Sequence, residues 1–247
     1  MNNNKNIKCE VSYDGSNYHG FQYQPNARTV QGELINSIYK LTKESTKIIA
    51  SGRTDAGVHA RKQVCNFYTN SSIPADKWTD ALNSVLPKDI IVIKTEEVPF
   101  SFHSRFDVKR KTYRYSIYHN KINDVFRRNY SWFIPYPLST DKMKQAVKLF
   151  IGVHDFTSFS SAKSDTENKI REIYDSKLWM EDNEIIFEIT GNGFLYNMVR
   201  IIVGTLVEIG RGKMPSEEIS NLLKQKNRIH AGVTAPPQGL ILWDVLY

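Results

Sequence analysis

The amino-acid sequence predicts an α+β protein, and three observations carry that expectation. Period-two alternation of apolar and polar residues marks a series of short strands, apolar residues three or four apart mark the helices between them, and the order βαββαβ occurs twice. At 247 residues the chain can bury a substantial core as one large domain or two small ones.

The first strand alternates Ile7, Cys9, Val11 and Tyr13 with Lys8, Glu10 and Ser12. A loop rich in Gly, Asn and Gln follows, and Thr29 is placed to cap a helix carrying Leu34, Ile38 and Leu41 on one face. Strands are expected over residues 47–51 and 64–68, on either side of the turn formers Gly52-Arg53-Thr54-Asp55-Ala56-Gly57. A helix over 75–85 turns Trp78, Ala81, Leu82 and Val85 inward, and residues 90–93 form an apolar strand.

The second set begins at 111–119, where Tyr113, Tyr115 and Ile117 alternate with Thr112, Arg114 and Ser116. A helix over 140–150 carries Met143, Val147 and Phe150, and residues 170–180 and 184–190 pair as a hairpin across Glu181-Asp182-Asn183. A long apolar helix over 195–209, a short one over 217–226 and a strand over 240–246 complete it. Such a pattern predicts two ferredoxin-like halves forming a largely antiparallel continuous sheet with helices packed behind. The halves are expected at 1–105 and 106–247. No proline-rich or serine-rich linker separates them, which implies intimate packing.

Hydrophobic content of 40% and charged content of 24%, with mean hydropathy −0.44, fit a soluble globular chain and exclude the disordered class. The most apolar stretch, 194–209, is interrupted by Asn197, Arg200, Thr205 and Glu208, so no membrane span is expected. The start of the chain lacks the apolar core of a secretory signal. Cys9 and Cys65, each in a predicted strand, read as reduced buried thiols of a cytoplasmic protein.

Lys and Arg number 33 against 26 acidic residues, a formal charge of +7 that suits a polyanionic partner without requiring one. Arg105, Lys109, Arg110, Lys111 and Arg114 crowd one stretch opposed by Asp107. That run fits either phosphate contacts or a solvated face. The six histidines are scattered and no Cys-x-x-Cys or His-x-x-x-His pair occurs, so no metal site is expected. The Gly-x-Ser-x-Gly elbow, the Walker loop and the dinucleotide fingerprint are all missing. Any reaction is expected to draw on side chains alone, with no cofactor.

Gly52-Arg53-Thr54-Asp55-Ala56-Gly57-Val58-His59-Ala60 sets a carboxylate between glycines. Taken by itself the peptide reads as a turn. It resembles the signature of the TruA-type tRNA pseudouridine synthase family, and the likeness continues in order along the chain. Upstream are Tyr13-Asp14-Gly15, His19-Gly20-Phe21-Gln22-Tyr23-Gln24-Pro25 and Arg28-Thr29-Val30-Gln31-Gly32-Glu33-Leu34. Downstream are Ala81-Leu82-Asn83-Ser84-Val85-Leu86-Pro87, Phe102-His103-Ser104-Arg105-Phe106, Lys111-Thr112-Tyr113-Arg114-Tyr115, His154-Asp155-Phe156, Asn197-Met198-Val199-Arg200 and Gly239-Leu240. Phe21 and Tyr23 stand where family members often carry tryptophan and arginine, a departure that bears on RNA contacts.

The resemblance implies a cofactor-independent isomerase acting on tRNA, in the anticodon arm around positions 38 to 40, as a homodimer. It makes Asp55 the catalytic carboxylate, Tyr113 an active-site tyrosine beside the flipped base, and Arg200 the cation paired with that carboxylate. It makes Arg53 an RNA contact that fills the space of an extruded base, with Leu240 an apolar wall of the uracil pocket. In this scheme the first half carries the aspartate and the second completes the cleft. The residues alone leave other readings open: Tyr113 and Leu240 also suit a core, and Lys109, Arg110, Lys111 and Arg114 are RNA contacts by charge only. A non-catalytic RNA-binding protein would need the basic surface but not Asp55, and an unrelated enzyme could share the architecture.

Overall fold

A computed structural model describes residues 4–162 and 166–247. The chain divides into two compact units, one comprising the chain through Lys109 together with Leu242–Tyr247, the other Arg110–Ile241. Both are α+β with mainly antiparallel strands, the class expected from the sequence.

In the first unit β1 (Lys5–Tyr13) is flanked by β3 (His59–Thr69) and β4 (Ile90–Val98), antiparallel to both, while β2 (Ile49–Ala50) pairs with β3. The alternating residues of β1 behave as their period dictates: Ile7, Cys9, Val11 and Tyr13 are buried. Helix α1 (Val30–Thr42) starts where Thr29 Oγ1 accepts from Gly32 N (3.2 Å), and it buries Leu34 and Ile38. Leu41, in its last turn, is half-buried.

Several boundaries differ from the sequence reading. Residues 75–77 form a 3-10 turn, and α2 (Trp78–Asn83) stops before Val85. Asn83 exchanges hydrogen bonds with the Val92 backbone (Nδ2 to O 2.8 Å, N to Oδ1 2.8 Å), and Pro87 disfavours helix in the residue before it. Strand β4 runs on to Val98 through Lys94, Thr95, Glu96 and Glu97, polar residues, three of them charged, that an edge strand accommodates. Strand β2 is two residues long rather than five, whereas β3 begins at His59, five residues early. The ladder to β1 extends as far as Tyr13↔Ala60, so main-chain pairing carries β3 through the polar run Arg61-Lys62-Gln63. Cys9 and Cys65, distant in sequence, face each other across β1 and β3 as free, buried thiols. The hydrogen bond with Cys65, together with burial, pushes the Cys9 thiol well up from its ordinary range.

The second unit has the strand order β5 (Arg110–His119), β9 (Glu184–Gly191), β8 (Ile170–Glu181), β7 (Gly152–Asp155), all antiparallel. The short β6 (Trp132–Ile134) runs parallel to β5. Neither β6 nor β7 was expected, because three or four residues are too few for alternation to register. The β8–β9 hairpin turns on Asp182 and Asn183, both at positive φ (44° and 64°), as a two-residue turn of this hand requires. Helix α3 (Thr140–Val147) passes into a 3-10 turn, and Met143, Val147 and Phe150 are buried as their spacing implied. Helix α4 (Met198–Gly210) begins three residues late because Asn197 is left-handed, φ 61°. Helix α5 (Glu218–Gln225) follows, and β10 (Leu240–Leu246) begins in this unit and ends in the first. Among the described residues no helix is long and apolar enough to cross a membrane.

Candidate active site

Asp55 sits on the turn that links β2 to β3, and the first unit fixes that turn from three directions. From β3, the fully buried side chain of Gln63 accepts through Oε1 from the Ser51 hydroxyl (2.5 Å) and Val64 N (3.1 Å), and donates through Nε2 to Gly52 O (3.0 Å). From β1, the Tyr13 hydroxyl shares a 2.8 Å hydrogen bond with Thr54 Oγ1, both residues being buried. Burial pushes the Tyr13 phenol up, against the pull of its hydrogen bonds with Thr54 and Gln63, so it stays neutral. From the segment before α1, Phe21 N donates to Thr54 O (3.1 Å) and Gly57 N to Tyr18 O (3.2 Å).

Within the turn Val58 N donates to Asp55 O (3.1 Å). Gly20 is required for this docking: its φ is +91°, and a Cβ there would meet Thr54 O at 2.8 Å. The result is a half-buried Asp55 next to an exposed Arg53, on a peptide whose neighbours on both sides are pinned. A carboxylate so held spends little entropy in reaching one orientation, a condition for nucleophilic or base chemistry.

In the second unit Tyr113 lies on β5, buried, with its ring edge-on to Phe194 (5.1 Å, 82°). Arg200 occupies the first turn of α4, half-buried. Its Nε donates to Ala235 O (2.7 Å) and Nη1 to Asn197 Oδ1 (2.8 Å), and Ala235 N returns a bond to Arg200 O (3.0 Å). These bonds fix the plane of the guanidinium. Leu240 is buried at the start of β10, beside Gly239, whose missing side chain admits the Tyr115 ring 2.6 Å from where a Cβ would stand. Tyr115 in turn donates to Pro236 O (2.8 Å); burial raises its phenol well above the ordinary range, with the charge of Arg200 pulling the other way.

The basic run is heterogeneous. Lys109 and Arg110 are exposed and Lys111 is half-buried. Arg114 pairs with Glu188, its register partner on β9, and lies over the Trp179 ring (5.4 Å). Lys177 reaches the same carboxylate at 2.8 Å. Burial would raise the Glu188 carboxyl, but Lys177 and Arg114 outweigh it and hold it below the ordinary range. The Arg114 charge is therefore already committed to a protein carboxylate, a use that competes with a phosphate.

The sequence model of a family described as tRNA pseudouridine synthase matches residues 10–107 and 146–247. The chain belongs to this family. It is 51% identical over 244 residues to tRNA pseudouridine synthase A of Anoxybacillus flavithermus, covering 98% of this chain and 99% of that one. Identity to tRNA pseudouridine synthase A 1 of Bacillus cereus is 50% over 242 residues, 98% of each chain. A Thermoanaerobacter relative named tRNA pseudouridine synthase A is 50% identical over 243 residues, 98% of this chain and 100% of that one.

Family membership gives the departures at positions 21 and 23 a structural meaning. Phe21 is buried, its ring 6.2 Å from that of Tyr13 beneath the Asp55 turn, whereas Tyr23 is an exposed surface residue. Sequence reasoning overlooked Gln63, Tyr13 and Thr54 as supports of the turn. For Gln63 a signal existed: stepping back by two from the inward Phe67 and Cys65 puts residue 63 on the buried face, where an amide must find partners.

Proposed function

We propose that this chain isomerises uridine to pseudouridine in tRNA, in the anticodon arm around positions 38 to 40, without a cofactor and as a cytoplasmic homodimer. The observation that carries the reading is Asp55: the one carboxylate in the family's signature peptide, held half-buried on a turn clamped by Gln63, Tyr13 and Gly20. The free, buried state of Cys9 and Cys65 supports a reducing compartment, and the size of an L-shaped tRNA relative to a 28.5 kDa chain supports a dimer.

The chemistry is an isomerisation. The N1–C1′ glycosidic bond breaks, the base turns, C5 bonds to C1′, the proton on C5 is lost and N1 gains one, so composition and redox state are unchanged. Asp55 acts as nucleophile on the ribose or the base, or as the base that assists elimination at C2′. Arg200 is the cation assigned to keep it ionised, and its fixed guanidinium plane suits that task. Tyr113 supplies a ring beside the flipped base and a phenol for proton transfer, and Leu240 an apolar wall. Arg53, exposed on the turn, is suited to enter the stack that the extruded uridine leaves, since a uracil cannot rotate while stacked in a stem. Lys109, Arg110, Lys111 and Arg114 are assigned to phosphates, with Arg114 the weakest candidate because of Glu188. On this reading residues 1–105 contribute Asp55 and Arg53, and residues 106–247 contribute Tyr113, Arg200 and Leu240.

The test is tritium release from C5-labelled uridine in tRNA, alongside tRNA binding and a thermal melt. Asp55→Asn keeps shape and turn propensity but removes the charge, so it should bind tRNA and release no tritium above background. Arg200→Ala should lose turnover rather than affinity. Wild-type release by folded Asp55→Asn refutes the catalytic assignment, and a purely affinity-based loss in Arg200→Ala moves that residue to the binding surface.

A further inference from the structure

The segment that follows β4 is anchored at its foot and bare at its tip. At the foot, Asn6 Nδ2 donates to Pro99 O (3.1 Å) and Phe102 O (3.0 Å), and Asn66 Nδ2 donates to Asn6 Oδ1 (2.9 Å). Ser104 N donates to Asn66 Oδ1 (3.0 Å), and the Tyr247 hydroxyl donates to Ser104 O (2.6 Å). Asn6, Asn66 and Ser104 are all buried. The Phe102 and Tyr247 rings pack 5.0 Å apart, with the Lys8 ammonium over both at 5.7 and 5.2 Å.

The tip is organised by its own polar groups. His103 N donates to Asp107 Oδ2 (2.8 Å), which ties that exposed carboxylate to the loop backbone. His103 Nδ1 accepts from Arg105 N (3.2 Å) and Phe106 N (3.3 Å), which leaves the ring proton on Nε2. The Phe106 ring stacks on His103 (centroids 4.2 Å, planes 23° apart), and the Arg105 guanidinium lies 5.7 Å from the Phe106 centroid. Phe106 is nevertheless 74% exposed. The imidazole stacks on its ring, the Arg105 guanidinium lies over it at longer range, and most of the side chain's surface still meets solvent.

A single exposed phenylalanine is ordinary. A flat ring backed by a second ring, flanked by arginine and presented by a loop whose base is buried, is a preorganised surface for another flat, electron-rich group near negative charge. We infer that Phe106, with His103 beneath it and Arg105 beside it, is a stacking platform for an unpaired nucleobase of the substrate tRNA, Arg105 taking an adjoining phosphate. This rests on the reading of tRNA as substrate. Asn66, at the loop's foot, is six residues along β3 from Ala60, which adjoins the Asp55 turn, a span of about 20 Å. The platform therefore grips RNA away from the reacting uridine and acts on affinity.

The test is Phe106→Leu, which keeps apolar bulk and loses the planar face, with Phe106→Trp as the conservative rescue. Stacking losses correspond to about 5- to 150-fold in affinity. Phe106→Leu should raise the tRNA Kd and KM by about 10-fold, with kcat at saturating tRNA nearly unaltered and an unchanged melt. Phe106→Trp should restore Kd, and its indole emission should be quenched when tRNA binds. Arg105→Gln should lower the salt dependence of binding, which Phe106→Leu should not. A wild-type Kd and KM in Phe106→Leu overturns the platform, as does a Phe106→Trp variant neither rescued nor quenched. A loss of affinity accompanied by a fall in mass by light scattering reassigns the tip to a protein–protein contact. Wild-type protein that neither binds nor modifies tRNA would instead defeat the substrate reading itself.

Discussion

Gln63 is the strongest test of how the Asp55 turn is held, because it has no surface and cannot touch RNA. Gln63→Leu fills nearly the same volume and offers no polar atom, so the Ser51 hydroxyl, Val64 N–H and Gly52 carbonyl all lose a partner. A buried group left unsatisfied costs about 1–3 kcal/mol. Gly52 is half-buried and can turn toward water, Ser51 keeps a further interaction, and the costs share one relaxation, so the sum is about 2–4 kcal/mol. Against a total stability of about 5–15 kcal/mol the variant should still fold. At about 2–4 °C per kcal/mol, its melting temperature should fall by roughly 10 °C. A carboxylate displaced by about 1 Å loses about 100-fold in rate, so turnover measured well below the melt should drop by roughly 10- to 100-fold while tRNA Kd changes little. Gln63→Glu is the companion. Burial raises the carboxyl of a glutamate there, so its neutral form, able to donate to Gly52 O, persists at acid pH. Stability should be best below the unfolded pKa and fall as pH rises through the raised folded value. A Gln63→Leu protein that melts and turns over like wild type would refute the clamp.

Gly20→Ala forces a side chain into left-handed backbone and against Thr54 O, 2.8 Å from the new Cβ. It should cost about 1–3 kcal/mol and reduce turnover together with stability, and an unchanged melt and rate would show that the turn does not depend on this contact. Glu96 is depressed to about 2, first by its hydrogen bond from Lys8 and then by Lys94. Because its folded pKa lies below the unfolded value, its contribution is present above about pH 4.3 and lost as pH falls toward 2. The group is partly exposed, so Glu96→Gln should flatten acid unfolding only slightly, and a steeper acid dependence in the variant would contradict the pairing.

What the sequence made legible follows from how strongly a residue's type is tied to its environment. Strand β1 and helix α1 each bury one face more deeply than the other, so period alone located them and most of their inward residues, although β1 starts at Lys5 and Leu41 is only half-buried. Strand β3 hides its beginning because Arg61-Lys62-Gln63 looks like loop, yet β1 pairs with it through Ala60 and main-chain bonds are indifferent to side-chain polarity. Strands β6 and β7 are made by neighbours and leave no local periodic trace. Asp55 and Arg200 stand out by type in their motifs, whereas their supports do not: Ala235 serves through its carbonyl, and Gln63 and Thr54 look like surface residues until the register is known.

The same distinction separates Phe21 and Tyr23, the two positions where the chain departs from its family resemblance. Phe21 is buried against Tyr13, and its own N–H holds Thr54 O, so a change of ring at position 21 bears directly on the turn that carries Asp55. Tyr23 is 54% exposed, and its N–H is held by the Gln31 side chain (2.8 Å), which leaves the phenol free to meet whatever approaches that surface. Substituting phenylalanine for tryptophan at the first position is thus a question of packing volume beneath the Asp55 turn. Substituting tyrosine for arginine at the second removes a cation from the surface and leaves a stacking ring. Phe21→Trp is therefore expected to act through the geometry of the Asp55 turn, and Tyr23→Arg through the affinity and salt dependence of tRNA binding.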